Sequence, residues 1–317
     1  MEPFLNELSV EPIEGISADE RMLTLAATLK SLRLLGSARV LRSTRNALDQ
    51  FISPHESMRA ALYSNRGHRE ARQLLRSALN KAPFVEALQS REEQASRRLV
   101  EVVYGERPAP GLGMALLLRS TAVSLVGVAD FAVTDVPVSH SVLVDTDEIQ
   151  TTNERVLNVW DEGSVERVRE QITERVIGTI TSGEHAWQRR GELFSHLDWS
   201  REAEGHLRSL ALSELVFNSV VDRLLRLNQY TATWTGGPFE PPMKFSPEAE
   251  GTLQHGKLGV ERECTLPSGE TKRLSLHIKL TDYWRIYFEF RQLIEESTEG
   301  PPRGRVLVGY IGRHLRL

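Results

Sequence analysis

Residues 273–291 read RLSLHIKLTDYWRIYFEFR, and their alternation decides how the C-terminal part is built. Leu274, Leu276, Ile278 and Leu280 alternate with Arg273, Ser275, His277 and Lys279. A period of two predicts a half-buried strand, because successive side chains leave opposite faces. After the turn-like Thr281-Asp282-Tyr283 the pattern resumes, with Ile286, Phe288 and Phe290 facing one way and Arg285, Tyr287, Glu289 and Arg291 the other. Beyond a polar loop at 295–304, Arg305 to Ile311 supplies another strand, with Val306, Val308 and Tyr310 on one side. An earlier strand, Gly259 to Leu266, joins through Pro267-Ser268-Gly269-Glu270, a tight-turn composition. The expected product is a four-stranded antiparallel sheet with a single buried face.

The expected solvent face gathers Arg273, His277, Lys279, Arg285, Tyr287, Arg291 and Arg305 around one Glu289. Clustered cations beside a phenol can hold a phosphodiester backbone and stabilise charge that develops on it. The same residues also suit a solvated outer face, which is the ordinary condition of an antiparallel sheet.

The rest of the 317 residues read as a helical scaffold with a mixed centre. Charged residues at 26% and hydrophobic ones at 40% describe an ordinary globular chain, and a net charge of −4 exerts no global pull on nucleic acid. The charge is segregated, however. Residues 1–20 carry no Lys or Arg against 6 acidic residues, 21–110 carry 16 against 8, 111–200 carry 7 against 14, and 201–317 carry 16 against 15. A basic block facing an acidic centre suits either a polyanion surface or a protein partner. A lone Cys264 excludes an internal disulfide and multi-cysteine zinc motifs. Its place in a predicted strand points to a small core residue. The acidic opening is the reverse of a secretory n-region, and Gly111 to Val128, the most apolar run, is interrupted by Arg119, Ser120, Thr121 and Ser124. The expectation is a cytoplasmic protein with no membrane contact.

Along the chain, Ser17-Ala18-Asp19-Glu20 is a capping box opening a helix with Leu25, Leu29 and Leu32 on its apolar stripe, ending near Gly36. Further helices are expected after Pro54, over 68–79 and over 85–104, with Arg91, Arg97 and Arg98 exposed on the last. Asn65-Arg66-Gly67-His68-Arg69 can open a helix beside a phosphate, so Arg66, Arg69, Arg97 and Arg98 form a candidate nucleic-acid stripe. Few aromatics interleave there, and solvated arginine-rich helices look the same. Pro108-Ala109-Pro110-Gly111 reads as a linker. The domains expected are a basic helical region (1–110), a mixed α/β centre (111–235) and an antiparallel β module (243–317). In the centre, Ser120 to Val144 turns to strand, and 161–177 is helical with Val165, Val168, Ile172 and Val176 inside. From 193 to 230 one or two helices bury Leu207, Leu210, Leu215, Val220, Leu224 and Leu227, and Thr235 to Pro242 is a loop separating them from the sheet. The class is α+β.

Motifs for cofactor chemistry are missing. Gly111-Leu112-Gly113 lacks the following glycine of a dinucleotide fingerprint, and there is no P-loop. His185, His196 and His206 with Glu192 and Asp198 lack zinc-site spacing. Asp145, Asp147, Glu148 and the Glu270-Thr271-Lys272 triplet leave only a remote divalent-metal nuclease reading. No cofactor or metal is expected.

The strands LHIKL and WRIYFEF and the closing GRVLVGYIGRHLRL resemble the C-terminal region of poorly characterised proteins from prokaryotic mobile and antiphage-defence loci. Phe4 to Ser9 and Leu193 to Leu197 share that flavour, and Gly309 to Leu315 is the most specific element. More faintly, the meander is similar to the sheet of RelE/ParE-type toxins, which are small and usually stand alone, whereas this chain carries a large N-terminal extension. The first resemblance implies an accessory or effector subunit of a defence assembly. Such a subunit holds a protein partner from the same operon, an ATPase being one class expected, and touches RNA or DNA. The second implies a metal-independent ribonuclease, with His277, Lys279, Arg285, Tyr287 and Arg291 as its candidate catalytic residues.

Overall fold

The structure is a computed structural model that describes residues 1–64, 67–81, 84–96, 100–145, 148–213, 215–247, 254, 262–281, 283–293 and 303–315. The fold is α+β, and the chain divides into two compact units, Met1–Arg33 with Ser37–Arg175, and Leu34–Gly36 with Val176–Leu317.

The first unit runs β1 (Phe4–Leu5), α1 (Ala18–Leu34), β2 (Phe51–Ser53), β3 (Glu56–Ser57), α2 (Met58–Tyr63), α3 (Arg69–Asn80) and α4 (Val85–Ser96). It continues through β4 (Val100–Tyr104), β5 (Arg107–Pro108), α5 (Pro110–Leu117), β6 (Ala122–Val123), β7 (Asp135–Asp145), β8 (Glu148–Val159), α6 (Glu162–Arg167) and α7 (Arg169–Gly178), within which the division falls. Its main sheet has the order β1-β6-β8-β7-β4-β5. Helix α5 is the centre of its core: Leu112, Met114 and Ala115 pack with Phe4, Val102, Val136 and Val156. The 108–111 stretch is therefore not a linker. It turns β5 directly into a buried helix, with Pro110 in the first turn, where a missing N–H costs nothing.

Polar side chains tie this unit together. Arg21 on α1 is fully buried and donates to the carbonyls of Ser9, Glu11, Ile52 and Val126 at 2.6–2.9 Å. Asn6, Ser124 and Asn158 form a second buried chain, with Asn6 Nδ2 donating to Ser124 Oγ (3.0 Å) and Ser124 Oγ to Asn158 Oδ1 (2.7 Å). Asn158 Nδ2 then reaches the carbonyls of Phe131 and Val133. Of the expected capping box, Ser17 Oγ does accept from the Glu20 amide (3.1 Å), while Asp19 turns away to pair with Arg72.

The second unit continues through α8 (Gly183–Gln188), α9 (Arg190–Leu193), β9 (Leu197–Trp199), α10 (Arg201–Ser209), α11 (Phe217–Thr233) and β10 (Phe245–Pro247). Then come β11 (Glu263–Thr265), β12 (Thr271–Arg273), β13 (Leu276–Lys279), β14 (Trp284–Leu293) and β15 (Arg303–Arg313). The expected meander forms as β13-β14-β15, but the sheet has five strands, in the order β10-β13-β14-β15-β9. The stretch expected as its first strand instead gives β11, which pairs with β12 in a separate hairpin, and β9 adds a parallel edge. Cross-strand partners follow the sequence alternation, with His277 opposite Tyr287, Lys279 opposite Arg285 and Ile278 opposite Ile286.

Two details depart from that alternation. Tyr287 pairs with Tyr310 but Phe288 with Val308, so Gly309 is the extra residue of a bulge, and Tyr310 moves to the face opposite Val306 and Val308. Gly309 suits this place because a Cβ there would lie 2.4 Å from Leu274. The loop at 235–242 is not a spacer either. Phe239 stacks on Phe290 with centroids 4.1 Å apart, in an aromatic cluster with Trp234, Phe245 and Phe288 that covers one face. Leu215, expected in the core, is 88% exposed. No helix among the described residues is long and apolar enough to cross a membrane.

Candidate nucleic-acid interface

The face expected to meet solvent is covered at its middle, around His277 and Tyr287. Tyr287 is 0% and His277 7% exposed. The alternation put them on the right side of the strands, but a second layer closes over that side. Cys264, Leu266 and Leu274 from the β11–β12 region pack with Tyr287 and Leu307, and the guanidinium of the buried Arg262 lies 5.8 Å from the Tyr287 ring. Helix α10 adds His206, edge-on to Tyr310 at 4.7 Å, and Tyr310 in turn lies 5.9 Å from Tyr287. Burial shifts these groups toward their neutral forms: His206 is lowered, Tyr310 raised, and the Cys264 thiol pushed up to about 11. Groups so enclosed cannot reach a bound RNA phosphate. The expectation that His277, Lys279, Arg285, Tyr287 and Arg291 share one solvent surface is thus corrected.

Several expected cations are neutralised by carboxylates from other elements. Asp198 on β9 accepts from both Arg291 (2.8 Å) and Arg305 (2.5 Å), and Arg305 also reaches the Ser195 carbonyl. Arg273 pairs with Glu263 across β11–β12 (2.6 Å). Glu289, expected as the counter-charge, instead accepts from the amide and hydroxyl of Ser275. These pairs leave little charge for a phosphate chain.

The cations at the tip of the meander meet no carboxylate among the described residues. Lys279 stands opposite Arg285, and Arg313 opposite Trp284, at the β13–β14 turn and the end of β15. Lys279 and Arg313 are exposed. No carboxylate among the described residues pairs with either, or with Arg285, which donates to the Trp284 carbonyl (2.8 Å). Between the strands Tyr283 is 80% exposed and held at φ 62°. A non-glycine residue pays for that left-handed conformation. Three backbone bonds hold it: Trp284 to Thr281 (3.0 Å), Leu280 to Trp284 (2.9 Å) and His314 to Tyr283 (2.7 Å). The tip thus displays three cations beside an outward aromatic ring, the combination that grips single strands by phosphate contact and stacking. Sequence reasoning found Lys279 and Arg285 but missed Tyr283, Trp284 and Arg313. Their signal was the Thr281-Asp282-Tyr283 turn, where an aromatic residue is an unusual choice.

In the first unit a second basic feature opens at the start of α3. A notch of about 480 Å³ is lined by Ser64, Gly67, His68, Arg69, Arg72 and Arg76. His68 precedes the helix at φ 48° without a side-chain cap. Arg76 lies over Tyr63 at 5.6 Å, but Arg72 is committed inward, to Asp19 and to the Ala61 and Gly67 carbonyls. Arg69 is exposed as expected, whereas Arg66, Arg97 and Arg98 lie outside the described residues. No group of three or more His, Cys, Asp or Glu side chains among the described residues is placed to hold a metal ion.

No family model, curated protein or solved structure matches this chain.

Proposed function

We propose that this chain is an accessory subunit of a prokaryotic antiphage-defence assembly that contacts nucleic acid through the tip of its C-terminal meander. The protein partner is encoded beside it, with an ATPase the expected class. The observation that carries the nucleic-acid part is the trio Lys279, Arg285 and Arg313, which pair with no carboxylate among the described residues, around the exposed Tyr283. The assembly part is supported by the sequence resemblance of the same strands to proteins of defence loci. The enclosure of His277 and Tyr287 weighs for binding over catalysis.

The test is fluorescence anisotropy of labelled single-stranded RNA and DNA at two salt concentrations. Each phosphate neutralised on a single strand contributes about 0.7 to the log–log salt slope, so Lys279→Ala/Arg285→Ala/Arg313→Ala should flatten it by about 2. Tyr283→Ala should weaken binding roughly tenfold with the slope unchanged, since stacking of one base is lost. Arg291→Ala and Arg305→Ala, already paired to Asp198, should change it little. If the triple variant binds as wild type does, the tip is not the interface. EDTA-resistant RNA cleavage, lost in Arg285→Ala with binding intact, would select the RelE-like ribonuclease instead. Purification from the native operon should bring down a stoichiometric second subunit, and a chain that purifies alone counts against the assembly.

A further inference from the structure

The outer edge of β8 in the first unit is an open strand edge. On one side β8 pairs with β7 along its length, while on the other β6 reaches only Asn158 and Val159. Every residue from 148 to 155 is exposed, and no strand among the described residues lies beyond them. The Asn158 amide donates to the carbonyl of Thr134, just before β7 (2.8 Å), whereas the Val159 carbonyl accepts from Ser124 on the other side. Antiparallel pairing alternates strictly, so Ile149, Thr151, Asn153 and Arg155 turn their amides and carbonyls outward. The side chains agree. Thr151 meets the hydroxyl of Ser141 on β7 at 2.9 Å, the close approach of a pair that exchanges no backbone bonds. Pro137 sits opposite Arg155, where β8 requires no N–H.

The usual guards of such an edge are missing. Residues 148–155 contain no Pro and no Lys, the one register shift of the hairpin falls at Leu143/Asp145, and 149–153 are uncharged. We propose that this edge pairs antiparallel with the same edge of a second copy of the chain. A two-fold axis normal to the sheet must set one residue opposite itself. Centring on Thr151 sets Glu148 against Glu154, like charges directly opposed. Centring on Thr152 sets Ile149 against Arg155, Gln150 against Glu154 and Thr151 against Asn153, with no like charges. It also lays the aliphatic stem of Arg155 on Ile149, which is 66% exposed in one copy. These two registers pair seven of the residues 148–155, more than any other, and between them charge selects the one centred on Thr152, which forms about eight backbone hydrogen bonds between copies.

In that register Thr152 faces its own copy in a pair without backbone bonds, with Cα atoms about 4.5 Å apart, a separation a disulfide spans. The full chain bearing Thr152→Cys should cross-link under mild oxidation, while Thr151→Cys, whose copies stand about 7–8 Å apart, should not. Wild type, whose only cysteine is the buried Cys264, is the background. Sedimentation should show dimers forming up to about 0.5 mM, the weak range of a contact below ~1,200 Å². Thr151→Pro, which removes one outward N–H, should stay monomeric with its thermal midpoint unchanged. A monomer throughout that range, with Thr152→Cys cross-linking no faster than Thr151→Cys, overturns the proposal. So does preferential cross-linking of Thr151→Cys, or of Thr152→Cys to a different protein.

Discussion

Replacing Arg21 with methionine is expected to cost the first unit about 4 kcal/mol, a large part of the 5–15 kcal/mol that holds an ordinary domain. The guanidinium is fully buried and satisfies carbonyls from four separate segments, at Ser9, Glu11, Ile52 and Val126. Burial pulls its pKa down to about 10, with the Glu11 charge acting in the opposite direction, so it stays cationic at neutral pH. Methionine fills a similar volume but leaves four carbonyls in the interior without donors. A buried polar group so stranded costs about 1–3 kcal/mol, partly recovered by relaxation. Lysine cannot rescue the site, because one ammonium does not reach as planar a fan of acceptors as five guanidinium N–H groups. Urea denaturation reads the loss. Arg69→Ala, at an exposed position, is the control and should stay within about 0.5 kcal/mol of wild type. A loss below about 1 kcal/mol for Arg21→Met would mean that water replaces the side chain.

The second large effect concerns pH. Glu7 is 8% exposed, and its Oε2 accepts from the Gly111 amide (2.9 Å), capping α5 from far away in sequence because Ala109 has no capping side chain. Its Oε1 is buried without a hydrogen-bond partner among the described residues. Burial raises the carboxyl from 4.5 to about 7, a rise to which the Glu86 charge adds and which backbone hydrogen bonds at Glu7 and Gly111 oppose. A carboxyl with a raised folded pKa favours folding while protonated. Its contribution is fully present below pH 4.5 and is lost as pH rises through about 7. At 1.36 kcal/mol per unit the loss is about 3 kcal/mol. Glu7→Gln keeps an acceptor for Gly111 and removes the ionisation, so it should match wild type near pH 4 and exceed it by about 3 kcal/mol at pH 8. Parallel stability curves for the two proteins across that range would show that Glu7 ionises as freely folded as unfolded.

Much of the secondary structure was legible because it is local. The period of two over 276–291 shows which side chains share a side of β13 and β14, and the observed partners keep that division, whereas Leu274, before β13, packs with Tyr287 on the other face. Leu25, Leu29 and Leu32 are buried along α1, and Gly36 follows the helix at φ 85°. The stripe Val165, Val168, Ile172 and Val176 is buried too, although α6 and α7 break at Val168. Period, capping and turn chemistry act over a few residues, so a single sequence records them.

What covers each face was decided only by tertiary structure. Alternation says that His277 and Tyr287 point the same way, but not that Cys264, Leu266 and α10 close over them. Asp198 meets Arg305 across 107 residues, Arg21 meets Val126 across 105, and Glu7 meets Gly111 across 104. One extra residue at Gly309 turns Tyr310 to the other face of β15. The sequence by itself determined the α+β class, the meander and the side on which Lys279, Arg285 and Arg291 leave their strands. Tertiary structure decided which cations keep their charge free, because neutralisation depends on carboxylates carried in by distant strands. Periodicity carries no information about such encounters, and the exposed tip at Tyr283 is what they leave over.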